Sequence, residues 1–460
     1  MSIAGRIRPD ACPGALQVHE AADGPLARVR LPGGAITVTR LRELAAAAAE
    51  LGSGVIELTS RANVQVRGLR SPAAFAARLA AAGLLPSPAH ERVRNIVASP
   101  LGGRTALLDP QPLVEALDSA LCARPRTAGL PGRFLFAVDD GTGDMPGLGA
   151  DVTFVPGVAG GTLLLAGVDP GLAVGADAAA SLMVAAAEAF LDEREAAGRE
   201  RAAWRIGELA DGPARIASRL AGAPLPAGPR RADPAVFPAG PRRTAPGVLP
   251  ADPGRANPPV VLTASRPGPG GADAPPSPPA ARGRRVGRVE QRDGRVALEA
   301  AAPLGRLSVA QARAIADAAA DDMGEAEGAL DGAGEAEGAD DPATVEARGA
   351  VPVRLTPWRT VVLLDLSPAA ADRATRILAA AGLVTDPASP WVGVSACTGR
   401  PGCAKALADV QEDARRWVAT LDAPPPVPVH WAGCGRRCGL PRGRVVQMTA
   451  TGDGYDERQQ

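Results

Sequence analysis

Apolar and polar positions alternate along this chain with two different periods, and the same succession of periods occurs twice. In residues 26–52, LARVRLPGGAITVTRLRELAAAAAELG, a two-residue alternation breaks at Pro-Gly-Gly and gives way to an alanine-rich run with helical spacing. Residues 56–86, IELTSRANVQVRGLRSPAAFAARLAAAGLLP, return to period two before a second alanine-rich run that ends at Ala-Gly-Leu. The second copy reads GRVALEAAAPLGRLSVAQARAIADAAA over 294–320 and VRLTPWRTVVLLDLSPAAADRATRILAAAGLVT over 353–385. Each copy predicts strand, short connection, helix, strand of the Leu-Thr-x type, tight connection and helix. The Ser-Pro pairs at Ser71 and Ser367 are helix starts: the hydroxyl caps a free amide, and proline fits the first turn without needing a hydrogen bond.

A further matched element follows each copy: VRNIVASPLGGR over 93–104 and WVGVSACTGRPGC over 391–403. Both predict a strand that delivers a small-residue turn to a helix. Only the second carries cysteines. The whole pattern predicts a pseudo-duplicated α+β chain, because composition alone does not repeat an ordered series of elements.

Composition adjusts this picture in three places. At 460 residues more than one core is expected. Residues 221–285 are dense in Pro, Gly and Arg without periodicity and are expected to be a disordered linker; the acidic repeat over 324–341 is expected to be a solvated loop. The expected divisions are therefore 1–91, 92–220, the linker 221–285, 286–390 with its acidic insert, and 391–460. Basic and acidic residues balance at 50 each, which gives no general attraction to nucleic acid or to a membrane. The opening MSIAGRIRPDACPG lacks the apolar core of a secretory signal, so a cytoplasmic location, with free thiols, is expected.

Six cysteines are present. Cys12 and Cys122 stand apart, and no role is expected of them. Cys397 and Cys403 form C-x5-C, and Cys434 and Cys438 form C-x3-C after an intervening helix and strand. Structural zinc favours tighter knuckles, whereas two separated pairs among Gly and Ala suit a [4Fe–4S] cluster held between two loops. Zinc and unliganded thiols are the alternatives.

At these residues the chain resembles a known family. ACTGRPGC…GCGRRC is similar to the cluster signature of the siroheme-dependent sulfite and nitrite reductases. LTSRANVQVRGL resembles their T-x-R-x-N-x-Q-x-R-G strand, and VRNIVASPLGG their Arg-Asn loop. The resemblance implies two ferredoxin-like half-domains about a pseudo-twofold axis, each followed by an α/β lobe, with the cleft where the halves meet. It departs from the reductases at LPGRFLFAVDD, where a pair of lysines is replaced by Arg133 and Leu135, and in the short stretch after Cys438. With RLTPWRTVVL and AAWRIGEL, these departures look most like the precorrin-3B synthases, the oxygen-dependent branch of the superfamily.

That branch implies hydroxylation of precorrin-3A at C20 by dioxygen with γ-lactone formation in cobalamin biosynthesis. Electrons would come from NADH through an external ferredoxin or flavoprotein reductase. Substrate carboxylates would be held by Arg61, Asn63, Gln65, Arg67, Arg94, Arg104, Arg133 and Arg359, with Arg400, Arg436 and Arg437 as further candidates, since guanidinium forks match carboxylates. Arg61, Asn63 and Gln65 are expected on one face of a single strand. The resemblance also implies a non-haem iron, for which the available imidazoles are His19, His90 and His430. His430 stands near the chemistry, and His19 and His90 are expected at the surface. DDGTGDMPG over 139–147 lacks the spacing of a dinucleotide loop and reads as a turn. A siroheme-dependent sulfite or nitrite reductase, and a non-catalytic iron–sulfur carrier, are the competing functions.

Overall fold

The computed structural model describes residues 12–158, 160–198, 203–222, 286–320 and 351–460. The expected linker lies outside the described residues from 223 onward, as does the whole of the acidic insert. The first half supplies β1 (His19–Ala21), β2 (Gly24–Val29), β3 (Ala35–Ile36), α1 (Val38–Leu51), β4 (Val55–Leu58), β5 (Val64–Val66) and α2 (Pro72–Ala81). A lobe follows: β6 (Ile96–Ala98), α3 (Gln111–Cys122), β7 (Phe136–Val138), β8 (Val152–Gly157), β9 (Gly160–Leu165), β10 (Val168–Val174), α4 (Ala176–Ala196) and α5 (Gly212–Gly222). The second half repeats the order in β11 (Gly287–Glu290), β12 (Val296–Ala301), β13 (Arg306–Ser308), α6 (Val309–Ala320), β14 (Val353–Leu355), β15 (Thr360–Leu366) and α7 (Pro368–Ala380). Its lobe contains β16 (Val394–Ala396), α8 (Val410–Val418), β17 (Val429–Ala432), β18 (Val446–Ala450) and β19 (Tyr455–Gln459).

Both Ser-Pro starts form as the sequence predicts. Ser71 accepts from the amide of Ala74, and Ser367 from that of Ala370, with proline in the first turn of each helix. The period-two stretch around residue 60 differs from expectation. It is a hairpin, β4 and β5, rather than one strand, because Ala62 takes a left-handed φ of 54° and reverses the chain. Arg61 therefore lies in the turn and not on a strand face with Asn63 and Gln65.

The two halves exchange strands. One sheet has the order β1-β2-β5-β4-β13, with the second half's β13 on its edge; the other runs β11-β12-β15-β14-β3, with the first half's β3 on its edge. The exchange depends on a close backbone approach at Gly34. Its φ is 69°, and a Cβ there would lie 1.9 Å from the Leu355 carbonyl oxygen. Helices α1 and α6 pack against each other between the sheets, and one continuous apolar core, from Val29 and Phe75 to Leu298 and Leu363, serves both halves.

Register separates the two faces of the first sheet. Ala27, Val66, Ile56 and Leu307 stand opposite one another and are buried, while Arg28, Gln65, Glu57 and Arg306 form the next row on the opposite face. The corresponding row of the second sheet is Glu299, Val362, Arg354 and Ala35. There Val362 packs with Leu101, Ala297 and Leu364 in a small apolar cluster. One face of the duplicated scaffold is polar and the other is largely filled.

Each lobe carries three parallel strands extended by antiparallel ones. In the first, β6, β7 and β8 are parallel and β9 and β10 continue antiparallel; in the second, β16, β17 and β18 are parallel and β19 is antiparallel. Phe134, Phe136 and Phe190 pack ring to ring in the first lobe's core. Leu304, at φ 56° where the first half has Gly33, joins the core of the second lobe with Val410 and Trp431.

Candidate functional site

The cysteines begin just past the carboxyl ends of two adjacent parallel strands, Cys397 after β16 and Cys434 after β17. Loops in that position are where open α/β sheets present ligating groups. The amide of Cys397 donates to the Trp431 carbonyl at 2.9 Å, and the amide of Gly433 donates to Cys397 Sγ at 3.1 Å, so the two loops are tied before any ligand enters. Burial pushes the Cys397 and Cys438 thiols up from their ordinary range. The neighbouring cysteines Cys397, Cys434 and Cys403 push Cys438 further.

Four cysteine thiols on two adjacent loops are a donor set that either zinc or an iron–sulfur cluster can use. Tetrahedral zinc with bonds near ~2.3 Å would hold its sulfurs roughly 3.8 Å apart. Among the described residues no three cysteine sulfurs lie within 4.8 Å of one another. Two separated thiol pairs, with the Gly433 amide donating to Cys397 Sγ, suit the chemistry of a [4Fe–4S] cluster.

His430 supports this arrangement structurally. It is fully buried on β17, with Nδ1 2.9 Å from Ser395 Oγ and Nε2 3.1 Å from the Cys438 carbonyl oxygen. The carbonyl requires the proton on Nε2, so Nδ1 accepts from the serine. Burial, with the Arg359 charge adding to it, holds the imidazole down to about 3, and it is neutral. His90 corrects an expectation: it is buried, at 4% exposure, between Ser87 Oγ and the Arg124 carbonyl oxygen. His19 is exposed. The two buried imidazoles each spend both nitrogens on the protein's own groups, and these residues do not fit a two-histidine iron site. The loop over 139–147 is a turn, as expected, in which Asp139 accepts from the amides of Gly141, Gly143 and Met145. Its three carboxylates, Asp139, Asp140 and Asp144, converge within 4.8 Å.

A group of arginines lies beyond the polar end of the first sheet. Arg61 donates to the Gly132 carbonyl at 3.1 Å; burial, then the charge of Arg205, lowers it to about 10. Arg30 is 2% exposed, and its Nε and Nη1 have no hydrogen-bond partner among the described residues. Burial and then Arg28 lower it to about 9. Arg205 is paired with Asp151 at 2.5 Å and repels Arg442, whose guanidinium packs on Gly149. The group is Arg28, Arg30, Arg61, Arg205 and Arg442, with few anions of its own.

The other sequence-predicted residues divide among different tasks. Arg94 forms a two-pronged pair with Asp118, at 2.7 and 2.6 Å, and Arg104 does the same with Asp365 across the interface to the second half. Asn63 is buried, accepting from the Leu31 amide and donating to Asn95. Gln65 bridges Arg28 and Glu57. Arg133 is exposed and stacks over Trp204 at 4.8 Å. Arg400 donates to the Ala406 carbonyl, within the first cysteine loop. Arg436 is exposed, and Arg437 takes a φ of 50° in the second loop. Arg67 and Arg359 reach the cysteine loops directly: Arg67 Nη2 donates to the Gly402 carbonyl at 2.6 Å, and Arg359 Nη2 to the Gly439 carbonyl at 2.6 Å. Arg28, Arg30, Arg205, Arg306 and Arg442 were not singled out by sequence. The Arg-x-Arg directly before Leu-Pro-Gly-Gly was the available signal for the first two.

Comparison with known proteins agrees with this layout. Residues 19–77 match the family described as the nitrite/sulfite reductase ferredoxin-like half domain. The structure of the NirA protein of Mycobacterium tuberculosis superimposes with a TM-score of 0.63 at 21% identity, covering 95% of this chain and 73% of that one. The chain is similar to the nitrite/sulfite reductases in its first half-domain, and it shares the fold of that NirA structure. A curated precorrin-3B synthase from Sinorhizobium is 27% identical over 98% of this chain and 82% of its own length. A ferredoxin–nitrite reductase from Synechococcus elongatus is 33% identical, but over 30% of this chain and 29% of its own. At the position where the superfamily's reductases carry a second lysine by the resemblance above, Leu135 is buried among Ala62, Val97, Ala137, Met145 and Ala150. Among the described residues no helix is long and apolar enough to cross a membrane.

Proposed function

We propose that this chain is a precorrin-3B synthase, hydroxylating precorrin-3A at C20 with dioxygen and closing a γ-lactone. The observation that carries the reading is the similarity to a precorrin-3B synthase along nearly the whole chain, where the similarity to a nitrite reductase covers under a third. Leu135 supports it, since a buried apolar side chain removes one cation from the cage an inorganic oxyanion needs.

The polycarboxylate substrate would lie against Arg28, Arg30, Arg61, Arg205 and Arg442. Arg30, buried with two unpartnered nitrogens, gains most from an incoming carboxylate, because its desolvation is already complete. Arg133 stands on the approach, exposed above Trp204. Cys397, Cys403, Cys434 and Cys438 would hold a [4Fe–4S] cluster, which supplies single electrons when bound and is recharged from NADH through a ferredoxin or flavoprotein reductase.

Anaerobic purification with iron and sulfide quantified, followed by turnover of precorrin-3A under 18O2, tests the reading. Four irons and four sulfides, no siroheme bands and one labelled oxygen in the product are expected. Siroheme bands with sulfite or nitrite reduction would replace the synthase by the reductase, the reading to which the similarity with a ferredoxin–nitrite reductase points.

A further inference from the structure

Three arginines of the half-domains hold the cysteine loops, each by a different carbonyl. Arg67 donates to Gly402, next to Cys403, and Arg359 donates to Gly439, next to Cys438. Arg306 donates to Gln411 Oε1 at 2.6 Å, and Gln411 Nε2 donates to the Cys397 carbonyl at 3.2 Å. Two of these arginines come from the edge or turn of the second half and one from β5's end in the first, so the clamp spans both.

One carboxylate stands among them. Glu57 is 8% exposed in the middle of the polar row. Its Oε2 accepts from Gln65 Nε2 at 3.1 Å and lies 3.9 Å from Arg67 Nη1; its Oε1 lies 3.9 Å from Arg306 Nη1 and accepts no hydrogen bond. Arg67 has a second anion, Asp23, at 2.8 Å. Among the described residues the carboxylate paired with Arg306 is Glu57, at 3.9 Å, and the Glu57 charge also raises Arg359 against the effect of its burial.

We propose that Glu57 is the positioning carboxylate of the cysteine loops, balancing the arginines that clamp them and setting the electrostatic field at the metal site. The inference rests on the reading that the four cysteines hold a [4Fe–4S] cluster. In a site of low dielectric, one unit of charge at this depth changes the free energy of adding an electron, and net charge is among the main determinants of such a cluster's potential. Arg306, the cation facing that charge, is itself hydrogen-bonded through Gln411 to the Cys397 carbonyl.

The test is a redox titration of the reconstituted protein, followed by EPR, with iron and sulfide measured in every sample. Glu57→Gln keeps the shape and the Gln65 contact but removes the negative charge, so the midpoint should shift upward while cluster content is retained. Arg306→Gln removes a positive charge from a half-exposed site and should shift it downward; Glu57→Asp should stay near the parent, and the double variant should return toward it. If Glu57→Gln does not fold, the downward shift of Arg306→Gln and its absence in Gln411→Leu with the arginine intact carry the test. Unmoved potentials, or shifts of one sign in both single variants, overturn the inference. A parent protein that takes up no cluster on anaerobic reconstitution overturns the underlying reading instead.

Discussion

Ala62 and Arg359 occupy the same left-handed turn in the two halves of the molecule, at φ of 54° and 62°. In both, a threonine anchors the reversal: Thr59 Oγ1 accepts from the amides of Arg61 and Asn63, and Thr356 Oγ1 from those of Trp358 and Thr360. The first half places a methyl group against Leu135 and Val97, and the second extends a guanidinium to the Gly439 carbonyl. A non-glycine residue here carries strain of about 1–2 kcal/mol. Arg359→Gly should therefore leave the thermal stability of the cluster-free protein within about 1 kcal/mol of the parent, since relief of strain offsets lost contacts. The reconstituted protein should bleach faster in air, because the Cys438 loop has lost its tie. Visible absorbance against time reads this directly.

Arg94 and Arg61 should separate into two classes of defect. Arg94→Ala leaves Asp118 facing a vacated, mostly buried site and is expected to cost on the order of 3 kcal/mol of stability, seen as a lower Tm. Arg61→Ala removes a cation crowded by others and should leave Tm little changed while weakening tetrapyrrole binding about tenfold or more. Titration of tetrapyrrole fluorescence, alongside the melts, distinguishes them.

Leu135→Lys tests whether a reductase-like cation can be restored. The side chain is 4% exposed and its neighbours are apolar, so an ammonium would be buried without a partner. A loss of about 3–5 kcal/mol is expected, with no gain of sulfite or nitrite reduction. A stable variant that reduces either anion would mean the wall of the cleft repacks around the charge.

The interface between the first lobe and the second half should be sensitive to acid. Burial would raise the Asp365 carboxyl, but its two hydrogen bonds with Arg104 outweigh this and hold it below its ordinary 3.8. A carboxylate lowered in the folded state contributes stability that is present above pH 3.8 and lost as pH falls through the folded value. Asp365→Asn should flatten that part of the stability curve and lower the plateau near neutrality. Denaturant melts from pH 6 to pH 2.5 measure both.

Cys438→Ser should abolish the visible iron–sulfur shoulder, with iron per chain falling accordingly, whereas Cys122→Ser should leave it intact. Cys122 ends α3, in the other lobe.

The parts of this molecule that are legible in the sequence are those set by local spacing. Ser71 and Ser367 each need only an amide three residues on, and the cysteine pairs need only their loops. The strand exchange is not legible, because β3 and β13 have two and three residues and carry no period of their own. Their choice of partner is a matter of packing between halves. Arg30 reads as a surface residue of an alternating strand, yet it is buried where the first sheet meets the lobe. His90 was misread for the opposite reason: its polar neighbours include Ser87, the partner that makes its burial affordable.

Because the two half-domain sheets each end in a strand owned by the other half, neither half-domain completes its sheet alone. A backbone cut between residues 222 and 286 would leave two pieces that each expose an unpaired edge and half of a shared core. Expressed apart they should aggregate; expressed together they should find each other and assemble as a heterodimer.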